Sequence, residues 1–360
     1  MSEHQQGSSP HNIVVGVDTH RDFHVAAAID SRGALLGSHT FPATQAGYTD
    51  LVAWARSFGD VDRVGVECTG SYGSAISRHF TENNIPVIEV NRTDRSTRRR
   101  RGKSDTIDAE AAARAVLGGY AHARAKSADG CVEILRILKL AKESAIKSRT
   151  QAINQLKAVL VTAEPGLRES LSGIGTIRLV QRCARLLPGT ERNVLAVTKR
   201  TLRLLSRRIQ YLTTEIEDLQ AQIHDVVGDH RPELLDSYGL GPDTAATLLI
   251  TVGDNPDRVQ SEAAFASLCG VAPVEASSGN TTRRRLSRGG DRRANTALYL
   301  IALSRMRWDP RTKAYLQRRI TEGKTRREAL RCLKRYIARE LYPLLLGQPK
   351  IQAAAMPDAA

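Results

Sequence analysis

Ile13-Val14-Val15-Gly16-Val17-Asp18 is a β-branched apolar run that stops at an acid. A run this short and this apolar fits a buried strand, so Asp18 stands at a strand end. Arg63-Val64-Gly65-Val66 repeats the arrangement and stops at Glu67. Between the two, Phe23 to Asp30 and Gly33 to Phe41 read as further strands joined by a turn at Ser31-Arg32-Gly33, which with the first makes a meander. Helical patterns over Tyr48 to Phe58 and Ser74 to Asn83, then a strand over Pro86 to Val90, continue the chain.

A meander followed by alternating helices and strands is the ribonuclease H-like layout, an α/β domain whose mixed sheet lies between helices and carries carboxylates at its centre. The next stretch, Lys103-Ser-Asp105-Thr-Ile-Asp108-Ala-Glu-Ala-Ala-Ala-Arg114, supplies two more acids. Its alanines favour a helix and Ser104 or Asp105 suits the N-cap, while the i,i+3 spacing puts Asp105 and Asp108 side by side. Adjacent carboxylates repel unless a cation lies between them. Asp18, Glu67, Asp105 and Asp108 therefore read as one acidic site for divalent cations. Hard oxygen ligands and a phosphate substrate suit a pair of Mg²⁺ ions, with Mn²⁺ as the alternative.

The 360 residues carry 53 Lys and Arg against 38 Asp and Glu, a net charge of +15. Such a charge calls for a polyanionic partner. Just before Asp105 lies the run Arg98-Arg99-Arg100-Arg101 with Lys103, which no core could hold and which reads as a phosphate-gripping arm. The five cysteines are scattered, without a C-x-x-C pair, and point to neither disulfides nor zinc. The polar start and the lack of a long apolar run exclude a secretion signal and a membrane span, so a bacterial cytoplasmic setting beside the nucleoid is expected.

After residue 125 the pattern changes. Leu138, Ala145, Ala152 and Val159 repeat by sevens beside Ile146, Ile153 and Leu160, up to a break at Pro165-Gly166. Leu195, Leu202, Ile209, Ile216 and Ile223, with Leu205, Leu212 and Leu219, form a cleaner coiled-coil seam. The two helices suit an intrachain hairpin or an intermolecular dimer arm equally well. Gly-x-Gly turns flank them at Gly173 and Gly175 and at Gly239 and Gly241. The second, with Leu234 to Tyr238 before it and Asp243 to Val252 after it, resembles a helix-hairpin-helix whose backbone N–H groups hold a phosphate. Beyond a helix end near Gly270 comes Ser277-Ser278-Gly279, then Arg283, Arg284, Arg285, Arg288, Arg292 and Arg293. A serine can attack phosphorus where clustered arginines neutralise the phosphate. The organisation expected is a catalytic domain over 1–125, a helical coiled-coil arm over 126–228 and a mostly α-helical domain over 229–360.

Gly-Val-Asp18, Glu67-Cys-Thr-Gly-Ser-Tyr-Gly, Lys103-Ser-Asp105-x-x-Asp108-Ala, the Gly-Leu-Gly-Pro hairpin and Gly270-Val-Ala-Pro-x-x-x-x-Ser278-Gly279 together resemble the DEDD-type insertion-sequence transposases of group one-ten, which include Piv-like invertases. The resemblance runs over nearly the whole chain. It implies a RuvC-like catalytic domain with Asp18, Glu67, Asp105 and Asp108 as the metal-binding tetrad, and a C-terminal transposase domain with Ser278 as nucleophile. Ser277 precedes it, but Ser278 is the residue directly before Gly279, as in the family pattern. The resemblance further implies a dimer of dimers acting on donor and target DNA under a noncoding guide (bridge) RNA. A recombinase working through phosphoserine is thus the leading expectation. The alternatives are a RuvC-like nuclease that uses water and a non-enzymatic nucleic-acid scaffold.

Overall fold

The computed structural model describes residues 12–90, 104–127, 130–255, 258–279, 284–285, 287 and 289–346, which fall into two compact units. The first holds the residues up to Gly130 together with Val252–Ser261. Its five strands are β1 (Asn12–Thr19), β2 (Phe23–Ile29), β3 (Leu35–Pro42), β4 (Asp60–Glu67) and β5 (Val87–Val90), ordered β3-β2-β1-β4-β5. The meander β1-β2-β3 is antiparallel, whereas β4 runs parallel to β1 and β5 parallel to β4. This mixed five-stranded sheet agrees with the ribonuclease H-like layout expected from the order of elements.

Alternation along β1 decides what lies on each face. Ile13, Val15 and Val17 enter a core with Leu51 and Ala55 of α1 (Gln45–Arg56) and Ile76 and Phe80 of α2 (Ser74–Glu82). Val14 faces the other way, where Ala112, Ala113 and Val116 of α3 (Asp105–Leu117) close a second core with Ile29, Ile88 and Val90. Both faces of β1 are covered, which is why its sequence lacks the apolar–polar alternation of a half-exposed strand. The later segment of this unit is tied to it by side chains. Asn255 Nδ2 donates to the Ala125 carbonyl at 2.7 Å, and Arg258 pairs with Glu89 at 3.1 Å.

The second unit contains Cys131–Thr251 and the residues from Glu262 onward. Its axis is formed by α4 (Cys131–Val161) and α7 (Val194–His230). Ala145 packs with Leu212 and Ile216, whereas Ala152 and Leu156 pack with Leu202 and Ile209, so the helices run antiparallel within one chain. Of the expected Leu195, Leu202, Ile209, Ile216, Ile223 register the last four are buried, and Leu195, at the start of the helix, is partly buried. On α4 the register is carried by Leu135, Ala145, Ala152 and Leu156. Ile146, expected beside the seam, is exposed at 36% instead. At one end α5 (Pro165–Ser170) and α6 (Thr176–Ala184) cap the hairpin through Leu167, Leu179 and Cys183.

At the other end come α8 (Pro232–Leu235), α9 (Pro242–Val252) and α10 (Glu262–Leu268), then a two-stranded hairpin of β6 (Val274–Glu275) and β7 (Arg284–Arg285). The chain closes with α11 (Arg292–Trp308), α12 (Pro310–Thr321) and α13 (Arg326–Leu345). Thr325 and Glu328 form a reciprocal capping box at the start of α13, which satisfies two otherwise orphaned donors. Among the described residues no helix is long and apolar enough to cross a membrane.

Candidate active site

Gly16 and Gly65 are register partners on the parallel strands β1 and β4, and both face α3. A Cβ at Gly16 would lie 2.0 Å from the Ala109 carbonyl oxygen, and one at Gly65 would lie 2.7 Å from Val116 Cγ2 and 2.9 Å from the Ala112 oxygen. The missing side chains let the helix backbone rest almost on the sheet. Two residues further along each strand, on that same face, come Asp18 and Glu67. The Thr19 hydroxyl donates to the Glu67 carbonyl at 3.1 Å and holds the two strand ends together.

The helix begins where it must for its acids to reach these ends. Ser104, in an extended conformation, is the N-cap and accepts from the Ile107 amide at 3.3 Å, so α3 starts at Asp105. Asp105 and Asp108 fall in its first turn, where the positive end of the helix dipole favours carboxylates. Asp18 and Asp108 are buried, while the Asp105 side chain is 42% exposed. His20, in the turn between β1 and β2, sets Nε2 at 3.3 Å from Asp18 Oδ2 and 3.4 Å from Asp105 Oδ2. One donor atom from each of Asp18, His20 and Asp105 lies within 4.8 Å of the other two.

Burial pushes the Asp18 carboxyl above its ordinary range; His20 opposes the rise, and the charges of Asp105 and Asp108 add to it. The site thus gathers more negative charge than one imidazole can offset. Its donors are mostly hard carboxylate oxygens at a solvent-reached edge, a set that fits a divalent cation.

A second set of functional candidates belongs to the other unit. Ser278 is exposed in the β6–β7 hairpin, directly before Gly279, whose φ of +54° is a left-handed value glycine adopts without strain. The root of this hairpin is clamped. A Cβ at Gly290 would lie 2.6 Å from both the Gly270 nitrogen and the Leu268 oxygen, and the Asn295 amide donates to the carbonyls of Cys269 at 2.9 Å and Gly270 at 3.2 Å. Lys334, itself buried, donates to Asn295 Oδ1 at 2.9 Å. The result is an exposed serine on a loop with fixed ends.

A family model described as "Transposase", of the IS110 DEDD type, matches residues 15–165, and one described as "Transposase IS116/IS110/IS902 family" matches residues 232–317. The chain belongs to the IS110 family of transposases. It is 37% identical over 128 residues to the "Insertion element IS110 uncharacterized 43.6 kDa protein" of Streptomyces coelicolor, a match covering 35% of this chain and 31% of that protein. It is also 31% identical over 132 residues to the "Insertion element IS900 uncharacterized 42 kDa protein" of Mycobacterium paratuberculosis, covering 36% of this chain and 33% of that one. The matched part spans about a third of the length of either relative.

In this IS110-family chain all four expected acids lie in the first unit, and Asp18 meets Asp105 across His20. The first model's span includes the four acids and His20. His20 is the site residue that strand and helix patterns do not reveal; its only signal is its place two residues past Asp18. Ser278, Gly239 and Gly241 lie within the second model's span. Gly239 has a φ of +78°, and the Tyr238 carbonyl beside it accepts from Arg305 Nε at 2.8 Å. The first helix expected for this hairpin, Leu234 to Tyr238, is instead the single turn α8, which ends at Leu235 with Asp236 as its C-cap. Arg284, Arg285 and Arg292 are exposed, and Arg293 reaches Glu143 at 3.2 Å while staying 70% exposed. Arg98, Arg99, Arg100, Arg101, Lys103, Arg283 and Arg288 lie outside the described residues.

Proposed function

We propose that this IS110-family chain is a transposase that cuts and rejoins donor and target DNA. The observation that carries this reading is the meeting of Asp18, His20 and Asp105 where β1 ends and α3 begins, inside the span matched by the DEDD transposase model. Asp18, Glu67, Asp105 and Asp108 hold divalent cations, two Mg²⁺ ions or Mn²⁺ in their place. Such ions neutralise a scissile phosphate and favour the ionised form of an attacking or leaving oxygen.

Ser278 supplies the nucleophile. Its Oγ forms a bond to phosphorus as the bond from phosphorus to a deoxyribose oxygen breaks; the serine proton is lost and the released oxygen gains one. Attack by a new strand's hydroxyl on the phosphoserine reverses the exchange, so bond energy is conserved without ATP. Arg283, Arg284 and Arg285 steady the charge that builds on the phosphorane. Arg98 to Arg101, Lys103, Arg288, Arg292, Arg293 and the backbone around Gly239 and Gly241 hold nucleic-acid phosphates. Base pairing with a noncoding bridge RNA selects donor and target, since the chain carries no established base-reading motif. The working assembly is a dimer of dimers, with the catalytic, arm and transposase domains spanning 1–125, 126–228 and 229–360.

The test is the covalent intermediate. Wild-type protein incubated with donor DNA and copurified RNA should give a denaturant-stable adduct that leaves a nucleotide on the Ser278 peptide after nuclease digestion. Ser278→Ala should bind DNA without forming it, and Ser277→Ala should form it normally. Cleavage by Ser278→Ala at the wild-type rate, with no adduct from either protein, would make the enzyme a hydrolytic nuclease.

A further inference from the structure

His20 has no part in the four-carboxylate site expected from the sequence, yet its Nε2 stands almost equally far from Asp18 Oδ2 and Asp105 Oδ2, at 3.3 and 3.4 Å. Charge-assisted N–H···O⁻ bonds run to about 2.7–2.9 Å, so neither contact is a well-made one. Nε2 is shielded from solvent and forms no hydrogen bond of normal geometry. Donors bound at about 2.1 Å to one octahedral ion stand about 3 Å apart, close to the spacing found here. The three atoms are thus disposed as one face of a coordination shell.

The ring is held in that pose. Its plane packs on Phe23 with centroids 4.7 Å apart, and the His20 amide donates to the Phe23 carbonyl at 3.1 Å to close the β1–β2 turn. Support of this kind from outside the ligand set orients metal-binding imidazoles. Phe23 begins β2, so the pose is built into the meander and costs little ordering when an ion arrives.

We propose that His20 is a ligand of the metal centre through Nε2, beside Asp18 and Asp105, and that this nitrogen turns the site's preference from Mg²⁺ toward Mn²⁺ and the later first-row divalent ions, which accept imidazole more readily than Mg²⁺ does. An all-carboxylate site suits Mg²⁺; imidazole favours ions further along the divalent series, which lose less on exchanging a water oxygen for nitrogen. The inference rests on the carboxylates being a metal site but not on the identity of the nucleophile. His20 is then the residue that sets which ion the enzyme uses.

The experiment uses the full-length protein with Mn²⁺ alone as probe. Pulsed electron paramagnetic resonance of the bound ion should show coupling to a ¹⁴N nucleus, replaced by ¹⁵N coupling when histidine is isotopically labelled. His20→Gln should abolish that coupling and weaken Mn²⁺ about tenfold, while Mg²⁺ affinity, measured by competition, changes about twofold or less. Circular dichroism and thermal melting establish that the variant is folded, and His20→Asn serves if His20→Gln is not. Bound Mn²⁺ without nitrogen coupling, coupling that survives in His20→Gln, or an equal loss of both ions would overturn the role of His20 and leave the carboxylate site standing. No binding of either ion by wild-type protein, matched by Asp105→Asn, would overturn the metal site itself and this inference with it.

Discussion

Gly16 and Ala109 meet backbone to backbone, for a Cβ on Gly16 would stand 2.0 Å from the Ala109 carbonyl oxygen and 2.4 Å from the Ala113 nitrogen. Neither atom can swing aside as a flexible side chain would. The contact fixes the height of α3 above β1, and with it the position of Asp105 and Asp108 over the end of the sheet. The geometry of the candidate site depends on a missing methyl group one helical turn away from Asp105.

Gly16→Ala should therefore cost about 2–4 kcal/mol of stability and weaken divalent-ion binding in whatever protein still folds. Gly65→Ala should cost less, because its nearest neighbour is the tip of Val116. Denaturant unfolding of both variants checks the order. Equal stability of Gly16→Ala and wild type would mean that α3 rests on the sheet more loosely than these distances require.

Asp18 illustrates a conflict between function and stability. Burial raises its carboxyl pKa, and Asp105 and Asp108 raise it further while His20 opposes them, so without a cation the charge is held at a cost. Asp18→Asn should raise the stability of metal-free protein, yet abolish strand cleavage with DNA binding retained. Glu67→Gln and Asp105→Asn should also abolish cleavage. Melting in chelator and a cleavage assay in Mg²⁺ separate the two effects, and unaltered cleavage by Asp105→Asn would remove it from the metal site.

Much of this was legible in the residues. Asp18 and Glu67 are visible because each ends a β-branched run. The α7 seam is visible because leucine and isoleucine recur at two heptad positions, Leu202, Ile209, Ile216 and Ile223 at one and Leu205, Leu212 and Leu219 at the other. His20 is not visible in that way, since its role exists only once the β1–β2 turn brings it against the start of α3. The α4 side of the arm is equally obscure. Its seam uses Ala145 and Ala152, which a helix anywhere could carry, and Lys139 and Lys142 are buried by a partner, Asp243, about a hundred residues away. Asn295 and Lys334 fall in the same class, because long-range polar pairs have no period.

The arm makes a direct prediction. Ile209 is buried against the cluster that holds Ala152, Leu156 and Leu202, so Ile209→Asp should destabilise the hairpin by about 3 kcal/mol or more. Ile146→Asp, on the exposed side of α4, should change stability by about 0.5 kcal/mol or less. Helical melting followed by circular dichroism tests both. Light scattering should give Ile209→Asp the wild-type mass, because the seam is filled within the chain; a fall in mass would show that a second chain also uses it.

Asp243 joins the arm to α9 and gives the protein an acid-sensitive joint. Lys139 Nζ and Lys142 Nζ each lie 2.9 Å from one of its two carboxylate oxygens, and Lys142 also pairs with Gln220 of α7. The lysine side chains are 8% and 10% exposed, so each ammonium depends on this carboxylate for its counter-charge. Burial works against the ionised form of Asp243, but hydrogen bonds and charge from the two lysines outweigh it and hold the carboxyl below its ordinary range. A group whose folded pKa is depressed contributes its full stability above the unfolded value, near 3.9 for aspartate, and loses it as pH falls through the folded pKa. Wild type should thus lose the joint's contribution only below about pH 4. Asp243→Asn should lose it at every pH, by about 2 kcal/mol at pH 7, the low end for a buried pair because Asp243 is half-exposed. The unfolding free energies of the two proteins should begin to converge as the pH is lowered below about 4. Adding Lys139→Met and Lys142→Met to Asp243→Leu should recover most of the loss by removing the stranded charges together with their partner. A constant gap between wild type and Asp243→Asn from pH 7 to 3 would show that the carboxylate's charge is not what steadies the two lysines.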